Sequence, residues 1–139
     1  MTALHVTIPG EPVPKARPRL GRGGFAYTPR PTKDWEALAK LHATSAASRA
    51  RWQTTETLVG PRGGRKVVPL RYSVAIEVYR SSLGAGDLDN FIKATLDAMN
   101  GIAFEDDRYV LDIQAKMRVS SRPRVEVVVT VYSQQKEAS

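Results

Sequence analysis

From Tyr72 to Val78 the apolar residues Tyr72, Val74, Ile76 and Val78 alternate with Ser73, Ala75 and Glu77. A period of two sends one set of side chains to a core and the other to water, which predicts a strand. Leu111, Ile113, Ala115, Met117 and Val119 repeat the pattern against Asp112, Gln114, Lys116 and Arg118. Val125, Val127, Val129 and Val131 repeat it again after a turn at 120–123, and Leu4 to Ile8 gives a shorter version ended by Pro9-Gly10. Between residues 90 and 100 the spacing switches: Ile92, Leu96, Met99 and then Ala103 fall on one side of a helix. Asp89 or Asn90 is its expected cap, and Asn100-Gly101 its stop, since glycine enters the left-handed region without a Cβ penalty. A further helix is expected from Thr32, as cap, through Trp35, Leu38, Ala39, Leu41 and His42 to about Arg51, with Asp34 and Glu36 in its first turn.

These elements run β-α-β-α-β-β and predict one α+β domain over residues 1–139, a four-stranded mixed sheet with two helices packed on it. Two segments stand outside the pattern. Residues 9–31 hold six prolines and four glycines and read as an irregular arm. Residues 53–66 read as a mobile, basic loop inserted into the domain.

Composition sharpens the picture by exclusion. Cysteine is absent, which removes disulfides, thiolate zinc sites and cysteine nucleophiles and fits a reducing cytoplasm. Two histidines, His5 and His42, leave little for histidine chemistry. No apolar run approaches the ~20 residues that span a bilayer, and no signal peptide is visible, so no membrane partner is expected. The net charge is +7, yet residues 87–112 carry seven of the fourteen acidic residues and only Lys93 and Arg108 as cations. A basic body around one acidic island suggests a polyanion-binding protein with a cation-concentrating site. A basic protein with one solvated acidic loop is the alternative.

The island contains Asp87-Leu88-Asp89-Asn90-Phe91-Ile92-Lys93, then Asp97, then Glu105-Asp106-Asp107. Asp87 and Asp89, two residues apart near a strand end, can point to one side, and facing carboxylates repel unless a cation sits between them. Oxygen ligands suit Mg²⁺ or Mn²⁺. A short loop after Asn100-Gly101 would return Asp106-Asp107 to the same region. Metal held by Asp87, Asp89 and Asp107 would then activate water at a phosphodiester, with Lys93 positioning the phosphate. Each piece has a plainer reading: Asp-x-Asp as a helix cap, Asp97 as a surface ion pair with Lys93, Asp106-Asp107 as a solvated turn. An EF-hand starting at Asp87 fails, because it would need glycine at Ile92 and glutamate at Ala98.

The whole spaced pattern, Asp-x-Asp-Asn-x-x-Lys-x-x-x-Asp-Ala followed by Asn-Gly and Asp-Asp, resembles the signature of the RusA family of Holliday-junction resolvases. The segment Pro9-Gly10-Glu11-Pro12-Val13-Pro14-Lys15-Ala16-Arg17-Pro18-Arg19, with Tyr27-Thr28-Pro29 after it, is similar to phage and prophage members. The resemblance implies a homodimer, in the host cytoplasm if phage-encoded, that makes paired Mg²⁺- or Mn²⁺-dependent nicks in four-way DNA junctions. It matches Asp87, Asp89 and Asp107 to the family's essential aspartates, Lys93 to its lysine and Asp106 to a neighbouring acid. One departure is plain: residues 82–86 hold no arginine run before the first aspartate. DNA contacts are therefore expected from Arg80 and from the arm, where Lys15, Arg17, Arg19 and Arg22 are interleaved with Phe25 and Tyr27. A less selective DNase, or a non-catalytic nucleic-acid-binding protein, remains open on these residues.

Overall fold

A computed structural model describes residues 3–16, 19–27 and 29–132. Its main sheet is four-stranded, in the order β1-β8-β6-β7. Strand β8 (Arg124–Val131) lies antiparallel between β1 (Ala3–Pro9) and β6 (Tyr72–Arg80), and β7 (Val110–Val119) runs parallel to β6 at one edge. Helices α1 (Arg30–Ala50) and α2 (Leu88–Met99) complete the expected mixed α+β arrangement. Among the described residues no helix is long and apolar enough to cross a membrane.

The alternation of the strands becomes three rows of side chains across the sheet. Leu4, Val129, Val74 and Ile113 form one, Val6, Val127, Ile76 and Ala115 the next, and Ile8, Val125, Val78 and Met117 the third. The first three members of each row are buried with Trp35, Ala39 and Ala43 of α1 and Phe91, Ala94 and Met99 of α2. Each aliphatic chain so buried contributes about 1.5–3 kcal/mol relative to exposure. The fourth members, on β7, are not fully covered: Ile113 keeps 41% of its surface, and Leu111 and Val119 of the same strand keep 51% and 58%. The apolar face of the sheet thus runs past the edge of its helical cover.

Three local expectations are corrected. Helix α1 begins at Arg30 behind Pro29, not at Thr32, because Pro31 suits the first turn and has no amide to satisfy. Thr32 is instead buried, donating to the Pro14 carbonyl at 3.3 Å and accepting from the Ala16 amide at 3.4 Å, so it staples the arm to the helix. In α2, Phe91, absent from the expected stripe, is the largest core residue, and Ile92 is only half-buried. Residues 53–66 are not a loop: β4 (Thr55–Val59) and β5 (Arg65–Pro69) form an antiparallel ribbon. The arm also carries a two-residue pairing of β2 (Arg19–Leu20) with β3 (Ala26–Tyr27).

Candidate active site

The first pair of carboxylates stands where β6 ends. Arg80, the last residue of β6, is 8% exposed and turns its guanidinium into the following loop. It donates to the Ala85 carbonyl at 2.7 Å and the Gly84 carbonyl at 3.5 Å, and lies 4.8 Å over the Phe91 ring. Glu11 of the arm accepts from the Ser81 amide at 3.2 Å and from its hydroxyl at 2.9 Å, closing the other side of the loop. Gly86 finishes the turn at φ +111°, where a Cβ would also meet Phe91 at 3.1 Å and Pro14 at 3.3 Å. Only glycine satisfies both constraints.

Asp87 is then the N-cap of α2, but its side chain makes no capping bond; its carbonyl takes the Asn90 and Phe91 amides instead. The carboxylate is left exposed beside the positive end of the helix. Asp89 lies in the first turn, accepting from the Asn90 amide at 3.0 Å, and is also exposed. Lys93, one turn further, reaches Asp97 at 3.2 Å, as the ion-pair reading expects. Asp97 also holds Lys15 at 3.2 Å, and Lys15 meets Glu36 at 2.6 Å. Burial alone would lower the Lys15 ammonium, but the bonds and charges of Glu36 and Asp97 outweigh it and raise its pKa. With the Lys15 amide donating to the Asn90 carbonyl at 2.9 Å, the arm is locked along α2.

The second pair of carboxylates is held by different neighbours. Gly101, at φ +78°, turns the chain out of α2 as expected and donates to the Phe104 carbonyl at 2.8 Å. The Trp52 indole donates to the Ala103 carbonyl at 2.8 Å, and the Thr54 hydroxyl to Glu105 at 2.7 Å. Burial, then the charge of Glu105, pushes the Tyr72 phenol up to about 12. Asp106 accepts from the Arg108 amide at 2.9 Å and so caps the 3-10 turn Asp107–Tyr109. That amide is the main reason the Asp106 carboxyl sits below the usual range. Slight burial opposes the shift, while a hydrogen bond with the Asp107 side chain and the Arg108 charge reinforce it.

These two pairs do not meet within one chain. Asp107 immediately precedes β7, whose Val110 lies beside Tyr72 at the start of β6, whereas Asp87 follows Arg80 at its end. Helix α2 runs the length between them, twelve residues, or about 18 Å at 1.5 Å per residue. The expected short loop returning Asp106-Asp107 to Asp87 and Asp89 is therefore excluded by topology. A helix linking two parallel strands must deliver the chain to the opposite end of the sheet from where it began. Among the described residues no three acidic or histidine side chains stand together as a metal cage. Nor does a cavity mark the chemistry: a depression of ≈ 400 Å³ between the end of α1 and Gly101-Ile102 has no acidic residue in its lining.

The expected DNA contacts of the arm also sort by geometry. Arg22 is exposed and Arg19 lies in β2, but Lys15 is committed to Glu36 and Asp97. Arg80 is turned inward, so it shapes the loop that presents Asp87 instead of offering a free cation. Arg17 lies outside the described residues. Glu11 and Glu36, which fix the arm, were visible only as a member of the arm's motif and as a first-turn acid of α1, with no signal of the contacts they make.

The Endodeoxyribonuclease RusA family matches residues 9–130, which takes in the arm, both helices and three of the four main-sheet strands, β6, β7 and all but the last residue of β8. The chain belongs to this family of nucleases. It is also similar to the uncharacterized protein YqaN of Bacillus subtilis (strain 168), with 28% identity over 139 residues, covering 93% of this chain and 96% of the relative.

Proposed function

We propose that the chain is a homodimeric, Mg²⁺-dependent endonuclease that cuts four-way DNA junctions. In this reading each active site unites Asp87, Asp89 and Lys93 of one copy with Asp107 of the other. The observation that carries it is the separation of the carboxylates: the residues matched to the family's aspartates lie at opposite ends of α2. A single phosphate meets both sets only if two copies contribute.

Strand β7 supplies a route to that pairing. Among the described residues its outer edge joins no other strand, and its inner face leaves Leu111, Ile113 and Val119 in water. Two copies of β7 set antiparallel about Ala115 would extend the sheet across a two-fold axis. Leu111 would then oppose Val119 of the second copy, and Ile113 would oppose Met117, on the apolar face. On the other face Asp112 would oppose Arg118, and Gln114 would oppose Lys116. Opposite-charge and apolar cross-strand pairs each favour such a register. The same two-fold carries the Asp107 end of one copy toward the Asp87 end of the other.

The donor chemistry fits a hard divalent cation, since all the candidate groups are carboxylates and Asp87 spends neither carboxylate oxygen on the helix cap. Asp87 and Asp89, with Asp107 of the second copy, would hold it; when bound, it supplies an activated water and neutralises charge on the scissile phosphate. Lys93, with its ammonium 3.2 Å from Asp97, is one helical turn from Asp89 and can swing to the phosphate by releasing that exposed pair. Asp106, committed to its turn, positions Asp107.

Cleavage of a synthetic four-way junction beside matched linear duplex, with Mg²⁺ and with EDTA, tests the reading. Paired metal-dependent nicks near the junction centre are expected, faster than duplex cutting. Equal rates on both substrates would leave a general nuclease, in keeping with the cation-free loop at 81–86. No cutting of either would leave a binding protein.

A further inference from the structure

The segment 53–66, expected to be a loop, folds into a feature with no role in the core. Among the described residues, strands β4 and β5 pair only with each other. A tight tip closes them, with the Gly60 amide donating to the Gly64 carbonyl at 2.7 Å and the Gly63 amide to the Gly60 carbonyl at 3.0 Å. No residue of either strand is buried, and Leu58, Val59 and Val67 are 49%, 68% and 66% exposed. A lone two-stranded ribbon is marginal in water. Val59 and Val67 project to one face of this ribbon beside Arg65, and Leu58 to the other beside Lys66.

We propose that the β4–β5 ribbon is a DNA-gripping element that enters a groove of the duplex arm lying against the active site. The proposal rests on the nuclease reading above and names a DNA contact which that reading does not contain. Three observations support it. Between residues 55 and 69 the cations are Arg62, Arg65 and Lys66, and Glu56 is the one acid. The register sets Val59 opposite Arg65 and Leu58 opposite Lys66, so these neighbouring pairs project to opposite faces of the ribbon. Each face therefore carries one cation and one exposed aliphatic chain near the tip, with Arg62 at the turn itself. A ribbon lying flat on a surface needs its cations on one face. A ribbon standing between two phosphate walls needs them on both. The major groove, about 12 Å wide, admits a two-stranded ribbon.

The third observation is where the ribbon is rooted. Trp52 bonds Ala103, Thr54 bonds Glu105, and the Leu70 amide returns to the Thr54 carbonyl at 3.0 Å. Both strands thus spring from the loop that leads to Asp106 and Asp107. Duplex bound at those carboxylates would meet the ribbon next, and the ribbon's root is tied to the core through Trp52, which packs on Tyr72 at 5.8 Å.

The test is binding of a four-way junction in EDTA, where affinity is read without cutting, across about 50–200 mM salt. Replacing the tip cations together, Arg62→Ser, Arg65→Ser and Lys66→Ser, changes only exposed side chains. The expected result is a salt slope shallower by about 2–3 and an affinity lower by on the order of 10-fold or more, since each neutralised phosphate contributes about −0.9. Arg62→Cys, in a chain without cysteine, is expected to form a disulfide with a thiol tethered to the duplex arm. Unchanged slope and affinity in a protein whose wild type binds the junction overturns the ribbon assignment alone. So does a cross-link from Arg62→Cys to a second copy of the chain instead of DNA. A wild-type chain that binds no DNA overturns both this inference and the nuclease reading.

Discussion

The two ends of α2 carry the same chemistry on opposite principles. At its start, Asp87 and Asp89 follow a loop held by Arg80 and by Glu11, with Phe91 and Pro14 packed against Gly86. Beyond its end, Asp106 and Asp107 are held by backbone and surface bonds on a 3-10 turn, beside a ribbon that takes no part in the core. One end is anchored by the arm; the other is tied to the root of a ribbon whose tip carries Arg62, Arg65 and Lys66. The difference teaches that a run of acids close in sequence need not be one site. A helix between parallel strands separates what the sequence places twenty residues apart.

The largest effect should come from splitting the two ends between copies. Asp87→Asn and Asp107→Asn should each abolish junction cleavage, on the order of 10²-fold or more, while leaving the fold intact. Mixed in equal amounts, the two variants should recover about a quarter of the wild-type sites, because half the dimers are mixed and each holds one intact combination. Mixing Asp87→Asn with Asp89→Asn should recover nothing, since both lesions are at the same end. A mixture of the first two that stays dead would show that the ends do not share a site. Under the same pairing, Ala115→Cys should cross-link two copies, whereas Gln114→Cys should not.

A smaller loss is expected at Lys93, which belongs to the anchored end. Lys93→Ala should slow single-turnover cleavage by on the order of 10²-fold if its ammonium reaches the phosphate. The loss of its helix pair should cost only about 0.2–0.5 kcal/mol. Asp97→Ala is not a clean control, because Asp97 also holds Lys15 and so the arm. Lys93→Arg is better: partial recovery of rate would support a role for the charge, and wild-type turnover in Lys93→Ala would confine the residue to the helix surface.

The mildest test concerns what anchors that end. Gly86→Ala puts a Cβ against Phe91 and Pro14 at a positive φ, and should cost about 1–3 kcal/mol in chemical denaturation. An unchanged midpoint would mean that the loop presenting Asp87 is freer than its contacts imply.

Much of the fold was legible because period-two alternation and helical spacing report burial directly. The three side-chain rows formed by Leu4, Val74, Val125 and their neighbours are the sequence pattern seen edge on. Asp87, Asp89 and Lys93 were legible as a group because the seven residues 87–93 form one helix start, with Asp87 as its cap and Asp89 and Lys93 a turn apart. Asp107 was legible as a residue and not as a place. Its position depends on which way β7 runs, and alternation carries no direction. The ribbon was missed for a related reason: Gly60, Pro61, Gly63 and Gly64 dominate the segment, and exposed strands lack an apolar face to reveal them. Arg80 was misjudged as a DNA contact because charge predicts exposure, while two carbonyls and an aromatic ring made a buried place for it.

The placing of Asp87 and Asp107 at opposite ends of one helix also bears on when cutting occurs. In the proposed dimer, a chain carrying half of each site would be inert by itself, and turnover would follow the concentration of pairs, which at low abundance rises with the square of the amount made. A few stray copies beside a chromosome would then be harmless. Cutting would switch on over a narrow range of expression, with no inhibitor and no bound regulator, from the geometry of a single crossover.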